Sequence, residues 1–233
     1  MSHLLSRARG NRAFASCVVA AAACLAAIPH VHATEEEAAE LALTVLGKLP
    51  AIASDGKSVA MHVAEPGSPA EGAASLAIFD AAGKVKRRLP LVSPAKDADR
   101  SLATYKAADA VLVDGGYKRM GHLSRSGGKM VRREKHEDPP PSCEVTLTQG
   151  ERSFEVKVTA GKMVITAKRG GGTIGERVVA FRTPRRSCSS VTGYAVTPGG
   201  SGYDKPSGLL ALSLIVDSEG TICFSHEVVW RPK

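Results

Sequence analysis

A strict alternation of apolar and polar residues between Val145 and Ala167 is the feature that most constrains how this chain folds. Apolar side chains stand at every second position in three runs, 145–147, 154–158 and 163–167, and short turns that contain glycine separate the runs. A period of two residues places alternate side chains on one face of a strand. Short turns of this kind join antiparallel neighbours. The pattern therefore predicts antiparallel strands with one buried face.

Two further segments have the spacing of helices. Apolar residues between Glu35 and Leu46 recur at helical intervals, with acidic residues in the first turn and Gly47 at the end. The segment 97–113 has a similar apolar face, and either Asp97 or Asp99 could cap its start. We therefore predict one short N-terminal helix and one mid-chain helix in a chain that is otherwise mainly β, a β-rich α+β fold built from antiparallel hairpin sheets.

The remaining apolar runs predict more strands. They cover 58–63, 76–80, 84–91, 177–182, 210–216 and 221–230. The last two form the most apolar hairpin of the chain, so we expect that hairpin to lie centrally in its sheet. Residues 121–142 are rich in charge and end in three prolines, which predicts an exposed connector with an edge hairpin and a stiff hinge.

The first 33 residues have the features of a secretory signal peptide. Three arginines precede an apolar run over 13–28, and Val31 and Ala33 are small residues three and one positions before a cleavage site. The apolar run is shorter than the roughly 20 residues of a membrane-spanning helix. We therefore expect a periplasmic or secreted product without a transmembrane span. It would contain an N-terminal β-rich region over 34–137 and a C-terminal antiparallel β region over 138–233.

Basic residues outnumber acidic ones by 31 to 23, and the leader holds three of the basic residues and none of the acidic ones. The other cations cluster at 84–88, 129–133, 168–169 and 182–186. Such clusters protect strand edges from unwanted pairing, which is the interpretation we favour. Outside the cytoplasm they could also meet an acidic glycan or lipid surface. Aromatic residues form only 4% of the chain, so we expect no nucleic-acid partner.

Three cysteines follow the leader, at Cys143, Cys188 and Cys223. Two of them should pair in an oxidising compartment. We favour a Cys188–Cys223 disulfide, because Cys188 opens a Ser/Gly-rich loop that could fold back onto the last strand, where Cys223 lies. Cys143 is then the odd thiol, and it is either buried, reactive or intermolecular.

Residues 53–61 (Ala-Ser-Asp-Gly-Lys-Ser-Val-Ala-Met) and 75–84 (Ser-Leu-Ala-Ile-Phe-Asp-Ala-Ala-Gly-Lys), followed by Arg87-Arg88-Leu89, resemble one blade of the TolB-like (WD40-like) periplasmic propeller repeat. That family has Ser-Pro-Asp-Gly-Lys before a strand, whereas here Asp55 directly follows Ser54. The motif occurs once. A closed propeller typically has four or more blades, so the resemblance implies one blade-like unit of four strands. The general arrangement also looks like uncharacterised secreted proteins of Gram-negative bacteria, a likeness that implies no activity.

Side chains suited to metal binding or catalysis form few clusters in the sequence. One local cluster of metal-ligating types is His136, Glu137, Asp138 and Cys143. Its spacing matches no zinc pattern, so we expect neither a metal nor a cofactor. Nucleophilic catalysis would need Cys143 with a histidine, or a serine with His226 and an acid. The candidate serines are Ser187, Ser189 and Ser190, and the candidate acids are Asp204 and Asp217. The chain has no Gly-x-Ser-x-Gly elbow, and we assign no catalytic residue.

The loop 197–206 (Thr-Pro-Gly-Gly-Ser-Gly-Tyr-Asp-Lys-Pro) is the strongest candidate for recognition. A phosphate-binding loop would precede a helix, and here a strand follows. Long loops on a rigid sheet often carry binding residues. We therefore place a possible binding surface at Tyr194, Tyr203, Asp204 and Lys205.

The leading hypothesis is a non-enzymatic exported protein that binds or scaffolds a partner at the cell envelope, either another protein or an acidic glycan or lipid surface. One alternative is an envelope hydrolase with Cys143, Ser189 or Ser190 as nucleophile. Another is a redox-responsive protein, which a free Cys143 of low pKa would support.

Overall fold

The computed structural model describes residues 32–65, 74–133, 140–159, 161–181, 191–218 and 221–233. Two α-helices lie in these ranges, α1 (Glu35–Gly47) and α2 (Ala98–Asp114). The strands up to α2 and shortly after it are β1 (Ala51–Ile52), β2 (Ser58–Ala64), β3 (Ala74–Asp80), β4 (Val85–Leu91), β5 (Lys118–Arg119), β6 (Gly121–His122) and β7 (Ser124–Val131). The later strands are β8 (Ser142–Gln149), β9 (Arg152–Thr159), β10 (Lys162–Arg169), β11 (Gly172–Ala180), β12 (Gly193–Val196), β13 (Gly202–Asp204), β14 (Leu209–Ser218) and β15 (Thr221–Trp230).

Sheet 1 has the order β4-β3-β2-β1-β5, and both helices pack on one of its faces. Each helix begins at a side-chain cap. The Thr34 hydroxyl accepts the N–H of Glu37 while the Glu37 carboxylate accepts the N–H of Thr34, and Asp97 accepts the N–H of Arg100. Neither described helix has the length and apolar content that crossing a membrane requires.

Sheet 2 is the antiparallel meander β11-β10-β9-β8-β7. Its middle strands bury every second side chain, as in the run Phe154, Val156, Val158. This confirms the alternation seen in the sequence. The described residues cover one face of this sheet and leave the other open.

Sheet 3 is built around β14, which pairs with β15 along one edge and with β12 and β13 along the other. Residues 209–216 of β14 are apolar except for Ser213, without alternation, because both faces of the strand are buried. Leu209 and Ala211 face sheet 1, whereas Leu210, Leu212 and Leu214 face sheet 2. Sheet 3 therefore lies between sheets 1 and 2, and the layers from one side are helices, sheet 1, sheet 3 and sheet 2.

The structure confirms the mainly β, antiparallel fold with one N-terminal and one mid-chain helix. The central position predicted for the last hairpin holds for β14, whereas β15 pairs with β14 alone among the described strands. Near the end of β15, the Arg177 guanidinium of β11 donates to the Val229 carbonyl at 2.7 Å. This hydrogen bond gives the Val229 carbonyl, on the outer strand β15, a side-chain donor from sheet 2.

The stretch 121–142 is more regular than a connector. It contains β7, which pairs along its length with β8 as an edge strand of sheet 2. The strand is exposed because it packs little apolar surface, and Gly127 and Gly128 give it none. The boundary predicted at residue 137 falls between β7 and β8. Two of the predicted basic clusters lie on β4 and β7, the edge strands of sheets 1 and 2.

Candidate functional site

The site begins with a tight turn between β1 and β2. The Asp55 carboxylate accepts the N–H of Lys57 at 2.9 Å, and the N–H of Gly56 donates to the Ala53 carbonyl at 2.9 Å. Gly56 has a φ of 65°, in the left-handed region that favours glycine. The Asp-Gly sequence therefore fixes this turn by a side-chain hydrogen bond and a permissive backbone.

A second turn, between β13 and β14, repeats this chemistry. The Asp204 carboxylate accepts the N–H of Ser207 at 2.9 Å, and the N–H of Gly208 donates to the Asp204 carbonyl at 2.8 Å. A Cβ atom placed on Gly56 would lie 3.3 Å from the Cβ of Ser207. The two turns therefore touch, although they are about 150 residues apart in the sequence.

Together with β5 and the end of β15 they enclose a polar groove of about 740 Å³. We call it the basic groove. Its lining residues are Ile52, Ala53, Ser54, Asp55, Gly56, Lys57, Lys118, Arg119, Asp204, Pro206, Ser207 and Arg231.

Four exposed cations line the basic groove against two acids. The cations are Lys57, Lys118, Arg119 and Arg231, and within the described ranges none of them forms an ion pair. Asp55 and Asp204 instead accept backbone N–H groups of their own turns. The groove therefore has an excess of two positive charges, and a concave surface of one sign concentrates ions of the other.

The structure separates the residues predicted for the binding surface. Tyr194 and Tyr203 are 3% and 1% exposed, and their rings pack on Phe181 and Phe154 in the core between sheets 2 and 3. They are core residues and cannot form a surface. Asp204 lines the basic groove, whereas the Lys205 ammonium lies near the β8–β9 turn, 3.5 Å from a Cβ placed on Gly150.

The sequence did not point to Lys118, Arg119 and Arg231. Lys118 and Arg119 form a two-residue strand, and Arg231 follows the last strand. All three are isolated from the basic clusters of the sequence. The pairing of β5 with β1 brings Lys118 and Arg119 to the Asp55 turn, and the end of β15 brings Arg231 there. No local pattern could have identified them.

The possible nucleophiles lack catalytic surroundings in the described part of the chain. Cys143 is a free thiol, 3% exposed, and burial raises its pKa, which lowers its reactivity at neutral pH. The His226 ring packs on Phe181 with ring centres 5.7 Å apart, and burial lowers its pKa. Asp217 is buried and accepts from Thr192 and Arg132. These three residues have structural contacts in the core or at its border.

The serines at 187, 189 and 190, and also Cys188, lie outside the described residues, as do His136, Glu137 and Asp138. Within the ranges that are described, no three residues of the types His, Cys, Asp and Glu come together as metal ligands. Cys223 is buried and is not a free thiol.

No protein-family model matches this chain, and the searches of curated proteins and of solved structures found no match. The residues of the blade-like motif lie in the turn before β2, in β2 and β3, in the turn after β3 and in β4, all in sheet 1. The resemblance of this motif to one TolB-like blade stays a prediction.

Proposed function

We propose that this protein is exported to the cell envelope and there binds an acidic glycan in the basic groove. The observation that carries the proposal is a set of four cations around a concave site that form no ion pair with any residue the structure describes. Export rests on the charged and apolar leader with its small residues before Thr34.

Charge favours an anionic ligand. Lys57, Arg119 and Arg231 are exposed, so a ligand can reach them without displacing a protein partner. Because the cations are exposed to solvent, a ligand can bind them without breaking buried ion pairs. Binding should therefore be moderate in affinity and should weaken as salt is added.

Shape favours a glycan chain over a lipid surface. A membrane surface is flat and is best met by a flat or convex cationic patch, often with apolar side chains that insert. The basic groove is instead concave, and hydroxyl groups of Ser54 and Ser207 line it beside the cations. A sugar chain with carboxylate groups offers both negative charges and hydroxyl partners to such a site.

The test is calorimetric titration of the purified protein with polygalacturonate, with neutral dextran as the uncharged comparison. We expect polygalacturonate to bind and dextran not to bind. Arg119→Gln and Arg231→Gln should each weaken binding about 2- to 5-fold, as loss of one exposed charge contact does. Arg87→Gln, on the exposed edge strand β4, is the matched control and should change little.

Two results would contradict the proposal. In one, Arg87→Gln weakens binding as much as Arg119→Gln, which would mean that overall charge and not the groove attracts the glycan. In the other, anionic phospholipid vesicles bind through Arg119 and polygalacturonate does not, which would make a lipid surface the ligand.

The same proposal includes a disulfide between Cys188 and Cys223. Its support is that Cys143 is the free thiol and Cys223 is not. Peptide mapping of native protein without reduction should yield one linked peptide pair that contains Cys188 and Cys223. N-terminal sequencing of the same material should begin at Thr34. A start at Met1, or a linkage through Cys143, would contradict these assignments.

A further inference from the structure

A second cavity, separate from the basic groove, lies where sheets 1 and 3 meet the end of α1. Its volume is about 270 Å³. Its walls are mainly apolar and include Leu46, Leu49, Pro50, Met61 and Ile215. Apolar walls with a few polar groups are the usual composition of a small-molecule site.

The cavity exists because β1 is short. β1 pairs only with Val59 and Ala60 of β2, so residues 61–64 have no strand partner on that side within the described chain. The N–H of Ala64 is satisfied by the Ser225 hydroxyl at 2.8 Å, and both residues line the cavity. At this point sheet 1 has an opening where a longer strand would have filled the space.

Two hydroxyl groups converge on the cavity. Thr197 and Ser213 both line it, and neither hydroxyl has a hydrogen-bond partner among the described residues. A Cβ atom placed on Gly200 would lie 2.8 Å from Thr197 Oγ1 and 3.6 Å from Ser213 Oγ, so both oxygens flank one small space. A ligand with a polar end could hydrogen-bond to both.

The lining has no formal charge that would suit an ion. Lys, Arg, Asp and Glu are absent from the described residues that line it. An ion placed there would lose its hydration without gaining a counter-charge. The chemistry therefore selects an uncharged ligand with an apolar body.

We infer that this cavity binds a short alkyl chain that ends in an uncharged hydrogen-bonding group, such as a hydroxyl. The chain lies against Leu49, Met61 and Ile215, and the polar end meets the hydroxyls of Thr197 and Ser213. If each non-hydrogen group needs about the 30 Å³ of a water molecule, the cavity holds about nine such groups. Octan-1-ol has that size.

The experiment is a ligand-observed NMR titration of the purified protein with octan-1-ol, octanoate and longer alcohols. We expect octan-1-ol to bind, octanoate to bind this site at least about tenfold more weakly, and affinity to stop rising beyond about eight carbons. Octanoate bound in the basic groove should not displace octan-1-ol, so this test is independent of the glycan proposal.

Two variants probe the hydroxyl pair. Thr197→Val and Ser213→Ala should each weaken octan-1-ol about 2- to 10-fold, the effect of one lost hydrogen bond. Thr166→Val, the same exchange on the open face of sheet 2, is the matched control and should leave binding unchanged. The inference would be overturned if octan-1-ol and octanoate displaced one another and bound with equal affinity. The inference would also fail if Thr197→Val and Ser213→Ala both bound octan-1-ol with the wild-type affinity.

Discussion

Replacement of Glu227 by Gln should remove a pH dependence from the stability of this protein. Glu227 lies on β15, and its side chain shares a face with Ser225 and Val229, towards sheet 1. One carboxyl oxygen, Oε1, is buried without a hydrogen-bond partner among the described residues. An ionised carboxylate in this position would lack the hydration and the contacts that it has in water.

Burial is the main cause that raises the pKa of Glu227 from 4.5 to about 7. Ser225 on its own strand and Arg88 of β4 act in the opposite direction, and the Glu65 carboxylate adds to the rise. Arg88 is already paired with Glu65, which accepts in addition from the Ser75 hydroxyl at 2.6 Å. The arginine therefore compensates Glu227 only in part.

The direction in which stability changes with pH follows from proton binding. The unfolded chain releases the proton of Glu227 near pH 4.5, and the folded protein keeps it until about pH 7. Between these values the folded state binds more protons, so the contribution of Glu227 to stability falls as pH rises through this window and is constant above it. At about 1.4 kcal/mol for each tenfold change in proton affinity, the full loss is about 3 kcal/mol, of which about 2.5 kcal/mol falls between pH 5 and pH 8.

The assay is urea unfolding of the wild type and of Glu227→Gln at pH 5, 6, 7 and 8. The free energy of unfolding of the variant, relative to that of the wild type, should rise by about 2.5 kcal/mol between pH 5 and pH 8. Glu144→Gln, an exposed position on β8, is the control and should keep the wild-type slope. If Glu227→Gln also keeps that slope, then the carboxyl is ionised in the folded protein at neutral pH and the reasoning fails.

Three further predictions follow from packing and capping. Leu212→Ala, 1% exposed in β14, should lower the free energy of unfolding by about 2–5 kcal/mol in urea titrations, and a loss below 1 kcal/mol would mean that the two-sided burial of β14 is wrong. Asp97→Ala should cost about 1 kcal/mol because the N–H of Arg100 loses its acceptor, whereas Asp114→Ala at the other end of α2 should cost little in the same assay. Cys143 should react slowly with a thiol reagent in native protein and rapidly in urea; fast labelling of the native state would instead support the redox hypothesis.

Local patterns predicted most of the fold because each strand and helix reports its own surroundings. Alternation over 154–158 indicates one covered face, and the run 209–216, which is apolar except for Ser213, indicates two. The start of α2 agrees with the cap predicted at Asp97 or Asp99, which the structure places at Asp97, and α1 begins at Glu35, as its apolar spacing predicts. These signals lie within a few residues of what they determine.

The candidate site was harder to predict because distant segments form it. Tyr203 follows Gly202, and a Cβ on that glycine would lie 2.7 Å from the Cβ of Met120. This close approach brings β13 against the chain near β6, and the Tyr203 ring turns into the core. A loop rich in glycine and polar residues resembles a surface loop in sequence, and nothing within it indicates that its tyrosine packs on Phe154, a distant residue of the chain.

Both candidate sites depend on the same feature, the length of β1. Because β1 ends at Ile52, the chain turns at Asp55 and meets the turn at Ser207, and this contact builds the basic groove. Because β1 pairs with only two residues of β2, the space beside 61–64 stays open, and this opening forms the apolar cavity. Extension of β1 before Ala51, opposite residues 61–64, would close the cavity, whereas extension after Ile52 would move the turn away from β13. The shortness of β1 exposes backbone that a sheet would otherwise pair, and the Ser225 hydroxyl compensates for part of that loss at Ala64.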